Sequence, residues 1–226
     1  MKEKIGRYIL KGLAAFVITS IGAVILFRVV NPPVTFLMLR RVVEQKMDGK
    51  AARLEKDWVS IDEISSYMVQ AVVASEDNNF IIHRGIDFDA IRLAKEYNKK
   101  SRFVRGASTI TQQTAKNVFL WPRRSYVRKA MEAYFTSLVE IFWSKKRIME
   151  VYLNVVEMGN GIYGVEAASE HYFGKKASQL NADEAAMLAA ILPSPRKRNP
   201  AKPSEYLINR KNQIRGMMIN VGKIDL

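Results

Sequence analysis

The sequence contains no cysteine and only two histidines, His83 and His171, among its 226 residues. The absence of cysteine excludes a disulfide framework and any thiolate metal site. Two isolated histidines also argue against a His-rich metal site. Period-two alternation of apolar and polar residues is not convincing anywhere, which argues against a protein built on a large sheet. Because 48% of the residues are apolar, the chain can nevertheless bury a core of ordinary size.

A long apolar run lies close to the N-terminus. The stretch from Tyr8 to Val30 is apolar except for Lys11 and a few small residues, and at 1.5 Å per residue it can cross a bilayer. The residues before it are mostly basic, so the positive-inside rule places the N-terminus in the cytoplasm. No clear small-x-small motif ends the run, which favours a retained anchor over a cleaved signal peptide. We predict an anchor in residues 1–33 and a domain outside the membrane in residues 34–226.

Basic residues outnumber acidic ones by 36 to 22, which gives a formal net charge of +14, and the excess is local. Residues 51–100 carry 7 basic and 9 acidic side chains, whereas residues 101–150 carry 10 and 3. Such a basic stretch is typical of proteins that bind nucleic acid, a membrane surface or a phosphate-bearing substrate. Because a chain that faces outward from an anchor meets lipid phosphates rather than DNA, we expect no nucleic-acid partner. A merely solvated basic face is the alternative.

Helix signals dominate the rest of the chain, so the predicted fold class is mainly α. The signals are 3.6-residue periodicity of apolar residues and side chains suited to capping helix starts. We predict helices at 35–46, from the capping box Ser60–Glu63 through Val73, from near Ser108, after an N-cap at Ser125, after an N-cap at Ser178, and from Ser204 to about Val221.

The first candidate residues lie where an apolar helix ends. Glu76 and Asp77 are adjacent carboxylates at the C-terminal end of the helix that contains Val72 and Val73. Partial burial and the negative end of the helix dipole both oppose ionisation of Glu76, which suits a general base near neutral pH. Carboxylates that only solvate the helix end are the alternative. His83 alone is more typical of a structural histidine than of a catalyst.

A stripe of polar side chains follows a glycine turn at Gly106. Thr109, Gln112, Gln113 and Lys116 fall at i, i+3, i+4 and i+7, which places a hydroxyl, two amides and an ammonium on one helix face. Amides in this number are unusual on a merely solvated face. The stripe can therefore grip an oligosaccharide or a phosphate.

Four cations lie within seven residues at the start of the next helix: Arg123, Arg124, Arg128 and Lys129. Arginines around a helix start suit a pyrophosphate, because their fork geometry and the exposed backbone N–H groups act on the same anion. Glu132 follows one turn after Arg128. A plain i,i+4 ion pair on the surface is the alternative interpretation of these two residues.

Taken in this order, these segments resemble the peptidoglycan glycosyltransferases, and most closely the monofunctional, membrane-anchored kind of Gram-negative bacteria. The resemblance covers nearly the whole chain after the anchor. The motifs that carry it are Glu76-Asp77 with Phe80, His83 and Gly85; Gly106 to Asn117; Arg128-Lys129 with Glu132; and Lys145 through Glu150 to Tyr152-Leu153-Asn154. A fifth motif, Arg210 to Ile214, departs from the family pattern because Lys211 stands where a second arginine is common.

The resemblance implies a lysozyme-like domain preceded by one transmembrane helix, in the inner membrane, with the catalytic domain in the periplasm. The implied reaction polymerises lipid II into β-1,4-linked glycan by inverting transfer, with release of undecaprenyl pyrophosphate. Glu76 would be the general base, and Glu132 would help the pyrophosphate depart, directly or through Mg²⁺ or Mn²⁺. The implied substrate-binding residues are Asp77, Phe80, His83, Gly106, Ser108, Thr109, Gln112, Gln113, Lys116, Asn117, Arg124 and Arg128.

The resemblance also implies partners. These are lipid II, the lipid-linked growing glycan, the membrane, penicillin-binding proteins and division proteins, with no organic cofactor. The apolar segment Val118–Trp121 is either part of the core or dips into the membrane beside the site, where the lipid tail of the substrate must stay.

Two other functions use some of the same features. A murein-cleaving, lysozyme-like hydrolase or lytic transglycosylase also needs a helix-end glutamate and a sugar groove, but it leaves no pyrophosphate and does not need Lys116, Arg124 and Arg128. A non-enzymatic membrane scaffold would use the basic face alone, and Glu76→Gln would then be silent.

Overall fold

The structure, a computed structural model, describes residues 2–101, 106–123 and 125–226. The helices in these residues are α1 (Lys2–Val29), α2 (Phe36–Met47), α3 (Ser66–Glu76), α4 (Phe88–Lys100), α5 (Ile110–Phe119), α6 (Tyr126–Phe142), α7 (Lys145–Val155), α8 (Val165–Phe173), α9 (Ala182–Ile191) and α10 (Glu205–Val221). The short strands are β1 (Glu55–Lys56), β2 (Glu157–Gly159) and β3 (Ile162–Tyr163), and 3₁₀ turns lie at Ile61–Glu63 and Ala177–Gln179. The mainly α prediction is confirmed.

The small sheet is a feature that the sequence did not reveal. Its strands lie in the order β1-β3-β2, with β1 parallel and β2 antiparallel to β3. Strands of two or three residues are too short to show a period of two, which is why no convincing alternation marks them in the sequence.

Two groups of helices build the core. In the first, α3 packs against α9 and α10; in the second, α5 packs against α6 and α7. The alanine-rich sequence of α9 lets its neighbours approach closely, and all residues from Ala185 to Ile191 are buried. The first group therefore holds Glu76 at the end of α3, and the second carries the polar stripe and the cations.

Most of the predicted helix starts are confirmed by their caps. The side chains of Thr35, Ser125 and Ser204 accept hydrogen bonds from the backbone N–H groups of the first turns of α2, α6 and α10. Thr109 does the same for α5, so that helix begins at Ile110, two residues after Ser108. These hydrogen bonds satisfy donors that a helix start otherwise leaves free.

Two predicted caps were misplaced. Ser60 caps the 3₁₀ turn Ile61–Glu63 rather than α3, which begins after a break at Ser66. Ser178 lies inside a 3₁₀ turn, and the N-cap of α9 is Asn181, whose side-chain Oδ1 accepts from the backbone N–H groups of both Asp183 and Glu184. In both cases a short 3₁₀ turn precedes the helix and contains or follows the serine that the sequence suggested as the cap.

The apolar helix α1 contains a candidate membrane span at Lys4–Val29. The helix is not a free tether, because its second half packs along α6. Ser20 Oγ shares a hydrogen bond of 2.7 Å with Tyr134 Oη, and Trp143 Nε1 donates to the Val24 carbonyl at 2.8 Å. The anchor is thus part of the folded unit, although the predicted division at residue 33 stays a prediction.

Candidate active site

A cleft of about 480 Å³ lies between α2, α5 and the start of α6. Its lining is dominated by polar and charged side chains. The lining residues are Leu37, Arg40, Arg41, Ser108, Gln112, Gln113, Lys116, Asn117, Pro122, Arg128, Lys129 and Glu132. The structure thus brings most of the predicted stripe and the described cations of α6 to a single cavity.

Glu76 is the last residue of α3 and lies half-buried behind Gln113, which lines the cleft. Gln113 Nε2 donates a hydrogen bond of 2.9 Å to Glu76 Oε2. Burial is the largest influence and raises the pKa of Glu76, while the Gln113 hydrogen bond and the charges of Arg210 and Lys116 pull that pKa back down. The predicted tuning of this carboxyl group by burial is therefore present in the structure.

Asp77 and His83 join the end of α3 to the start of α5. Asp77 Oδ2 accepts from the Ile110 backbone N–H at 2.9 Å, and His83 Nε2 lies 2.9 Å from both Asp77 oxygens. The Gly85 N–H donates to His83 Nδ1 at 3.1 Å, so the ring proton sits on Nε2 and points at Asp77. This geometry supports the structural interpretation of His83.

Phe80 is fully buried, and the Lys145 ammonium lies 4.7 Å from its ring centroid. Like Asp77 and His83, Phe80 is absent from the lining of the cleft. The three residues support the wall behind Glu76. Their direct contact with substrate stays a prediction.

The polar stripe divides into a cap and a lining. Thr109 Oγ1 accepts from the Gln112 N–H at 3.1 Å and donates to the Gly85 carbonyl at 2.5 Å, while Gln112 Oε1 accepts from the Thr109 N–H. Thr109 is thus occupied by the capping box of α5 and does not line the cleft.

Two further predicted binding residues do line the cleft: Ser108, which is exposed at its rim, and Asn117. Gly106 is exposed, with open space around it.

The cations of the cleft outnumber its carboxylates. Arg128 Nη1 and Lys129 Nζ donate to the two oxygens of buried Glu132 at 2.8 and 2.5 Å. In the part of the chain that the structure describes, Arg128 Nε is buried without a partner and Lys116 forms no salt bridge. Burial lowers the pKa of Lys116, and the negative charge of Glu132 opposes this. This excess of cations over carboxylates in the lining suits an anion. Arg124 lies outside the described residues.

The cleft offers little to a metal ion. Glu132 is its one carboxylate among the described residues, and both of its oxygens already accept from cations. No group of three His, Cys, Asp or Glu side chains suited to a metal occurs in the described ranges. Mg²⁺ and Mn²⁺ prefer several oxygen ligands, so these residues do not fit a resident divalent cation.

Helix α2 forms a wall of the cleft that sequence reasoning missed. Leu37, Arg40 and Arg41 line the cavity although they lie some seventy residues before the stripe. The Arg41 guanidinium donates to Glu157 at 3.0 and 3.3 Å, which ties α2 to β2. No local pattern could reveal this, because the wall arises from a contact between distant segments.

The fourth motif, Lys145 to Asn154, contributes to the scaffold. The Asn154 side chain is fully buried. Its Oδ1 accepts from the Val59 backbone N–H at 3.0 Å, and its Nδ2 donates to the Val59 backbone carbonyl at 2.9 Å. Lys145 Nζ donates to Glu140 Oε1 at 2.7 Å and to the His83 carbonyl at 2.8 Å. These bonds fix α7 against the segment before α3, against α6 and, through His83, against the loop that follows Glu76.

The apolar segment Val118–Trp121 is mostly core. Val118 and Leu120 are buried, and Phe119 stacks on Phe135 with ring centroids 4.8 Å apart. Trp121 is 41% exposed. Membrane contact by this segment therefore stays a prediction for Trp121.

Comparisons with known proteins agree with this geometry. A sequence model of the transglycosylase family, described as "Transglycosylase", matches residues 43–219. The chain is 49% identical over 212 residues to a protein of Bdellovibrio bacteriovorus, which covers 94% of this chain and 85% of that one. It is 50% identical over 221 residues to a protein of Bacteroides thetaiotaomicron, with coverage of 98% and 89%. A Caulobacter vibrioides protein is 52% identical over 205 residues, with coverage of 89% and 87%.

Each of these three relatives is named a biosynthetic peptidoglycan transglycosylase. The matched range contains Glu76, the cleft-lining part of α5 and the cations of α6. A family match over most of the chain, with several relatives near 50% identity, leaves one conclusion: the chain belongs to the transglycosylase family.

Proposed function

We propose that this protein polymerises the glycan strands of peptidoglycan, using the lipid-linked disaccharide lipid II and releasing undecaprenyl pyrophosphate. The observation that carries the proposal is one half-buried carboxylate, Glu76, hydrogen-bonded to Gln113 in the wall of a cleft whose cations exceed its carboxylates. The family match and the names of the relatives support the glycosyltransferase activity. That the substrate is lipid II and the leaving group undecaprenyl pyrophosphate goes beyond this support and is part of the proposal.

Glu76 acts as the general base. Its carboxylate takes the proton from the 4-hydroxyl of the incoming disaccharide as that oxygen attacks the anomeric carbon of the growing strand. The bond from the anomeric carbon to the pyrophosphate oxygen breaks, and its electron pair stays on the pyrophosphate. Attack opposite the leaving group inverts the anomeric configuration.

The cations of the cleft assist the departure of the pyrophosphate. Lys116 and Arg128 both line the cleft, and their positive charges stabilise the negative charge that develops on the pyrophosphate. Glu132 holds Arg128 and Lys129 in place by accepting from both. Because the residues present do not fit a resident metal ion, no step is assigned to Mg²⁺ or Mn²⁺.

The membrane setting follows from the anchor. The candidate span in α1 is consistent with a membrane-anchored enzyme. We propose that it crosses the inner membrane once, with the N-terminus in the cytoplasm and the cleft on the periplasmic side, where the lipid tail of the substrate can stay in the bilayer. Penicillin-binding proteins and division proteins are the proposed partners, because new strands must be cross-linked.

The test is polymerisation of radiolabelled lipid II by the detergent-purified full chain in the absence of mature murein. The readout is lysozyme-sensitive polymer, and the variants are Glu76→Gln and the matched control Glu96→Gln on the exposed face of α4. We expect wild type and Glu96→Gln to form polymer and Glu76→Gln to lose about 10²- to 10⁴-fold in rate. Since burial raises the pKa of Glu76, wild-type activity should fall on acidification at a pH above the usual carboxyl range.

Two results would contradict the proposal. Release of soluble fragments from mature murein without any polymer would indicate a cleaving enzyme. Equal activity of wild type and Glu76→Gln would show that another group is the base.

A further inference from the structure

Tyr152 lies behind the candidate base in the interior of the protein. It is on α7, its side chain is fully buried, and burial holds its pKa well above the usual range. The hydroxyl therefore keeps its proton and acts as a hydrogen-bond donor at any pH where the fold is stable. It donates to Gln113 Oε1 at 3.3 Å.

This hydrogen bond determines which way round the side-chain amide of Gln113 is held. A glutamine side chain has one accepting oxygen and one donating nitrogen, and rotation by half a turn exchanges them. With Tyr152 donating to Oε1, the Nε2 group of Gln113 is left facing Glu76, to which it donates at 2.9 Å. A chain of three residues from α7, α5 and α3 thus runs from a buried hydroxyl to the carboxylate.

We propose that Tyr152 is a positioning residue that locks the Gln113 amide with its N–H, rather than its C=O, against the Glu76 carboxylate. The inference rests on the proposed function, in which Glu76 is the base. Tyr152 does not line the cleft, so it acts on the reaction only through Gln113.

The other charged groups that influence Glu76 come from different elements. Arg210 on α10 and Lys116 on α5 favour its ionised form, and neighbouring Asp77 opposes it. A change at Tyr152 leaves all three in place. The Gln113 hydrogen bond is therefore the contact that a Tyr152 variant changes.

Tyr152→Phe removes the hydroxyl and keeps the ring. The Gln113 amide is then free to turn, and a carbonyl oxygen facing the carboxylate repels its ionised form. Loss of a hydrogen bond to the charged form raises the pKa of a carboxyl group. We expect the titration midpoint of Glu76 to rise by about half to one pH unit.

The experiment is a pH titration by NMR of full-length protein in detergent, labelled with ¹³C at the glutamate carboxyl carbons. The Glu76 signal is assigned by its loss in Glu76→Gln. The matched control is Tyr163→Phe, because Tyr163 is also fully buried but its hydroxyl has no hydrogen-bond partner among the described residues. We expect the Glu76 midpoint to move in Tyr152→Phe and to stay in Tyr163→Phe.

A double-mutant cycle separates positioning from general loosening of the core. In a Gln113→Leu background, no amide remains to be oriented, so Tyr152→Phe should produce no further shift of the Glu76 midpoint. An equal shift in both backgrounds would overturn the inference. So would an unchanged midpoint in folded Tyr152→Phe.

The wild-type protein gives a second measurement that needs no variant at Tyr152. With ¹⁵N-labelled glutamine, the Gln113 side-chain NH₂ signal should shift along the Glu76 titration, and absence of that shift would also overturn the inference. None of these titrations uses substrate. A failure to polymerise lipid II would therefore count against the proposed function alone, and an unmoved midpoint against the role of Tyr152 alone.

Discussion

At the scale of single residues, the burial and charge of Lys116 are the strongest indication of which ligand the cleft binds. Its ammonium lies among Arg128 and Lys129, and the nearby carboxylate of Glu132 already accepts from both of these neighbours. Burial lowers the pKa of Lys116, the charges of Glu132 and Glu76 oppose this, and Lys116 forms no salt bridge among the described residues. A bound anion would stabilise such a partly buried cation. A pyrophosphate is such an anion.

The first prediction concerns Lys116→Met, which removes the charge and keeps the length of the side chain. A lost charge-assisted contact to a phosphate should lower kcat/KM for lipid II by about 10- to 100-fold. Thermal stability should change little, because burial disfavours the Lys116 charge while the charges of Glu132 and Glu76 favour it.

The control is Lys146→Met, whose ammonium pairs with exposed Asp62 outside the cleft. It should leave kcat/KM near the wild-type value. Equal losses in the two variants would indicate a general effect of charge rather than a phosphate site.

At the scale of elements, the junction between α3, α5 and α6 decides where the base sits. Gly85 lies in this junction with φ +85, a left-handed conformation that side chains rarely adopt. A Cβ added there would lie 2.8 Å from Glu140 Cγ and from Thr136 Cγ2 on α6. The loop after Glu76 can therefore pack against α6 only with glycine at this position.

The second prediction compares two glycines of the family motifs. Gly85→Ala should destabilise the fold by about 1–3 kcal/mol because of its positive φ and its clash with α6. Gly106→Ala should change stability little, because nothing lies within 4 Å of the added Cβ. Thermal unfolding of both variants in detergent tests this. Equal stability of the two proteins would contradict the structure of the junction.

At the scale of the whole molecule, the anchor and the domain form one packed unit. Besides the contacts of Ser20 and Trp143, the Arg147 guanidinium donates to the Phe27 and Val30 carbonyls, which satisfies acceptors at the C-terminal end of α1. Phe27 also contacts the ring of Phe119, with centroids 5.9 Å apart. This packing holds the end of α5 close to the C-terminal end of the candidate span.

The third prediction concerns the orientation in the membrane, and the absence of cysteine makes it simple to test. A single cysteine at Lys223, which is 80% exposed near the C-terminus, should react with a membrane-impermeant maleimide applied to intact cells. A cysteine at Lys4, the first residue of the candidate span, should react after lysis alone. Labelling of the Lys4→Cys protein in intact cells would reverse the proposed topology.

The sequence by itself determined the elements and the chemistry that depend on neighbours along the chain. Apolar periodicity and capping residues gave α2, α6 and α10 nearly to the residue, since these signals act within one or two turns. The raised pKa of Glu76 was also foreseeable, because its cause is the burial of the end of an apolar helix. The family match confirmed the glycosyltransferase resemblance.

Tertiary structure alone decided how distant segments meet. It assigned Thr109 to a cap, placed Arg40 and Arg41 on the cleft wall, and joined Tyr152 through Gln113 to Glu76. These residues lie tens of positions apart, and no periodicity links them. Their contacts depend on how the helices pack against one another, because packing fixes which side chains come within hydrogen-bond distance.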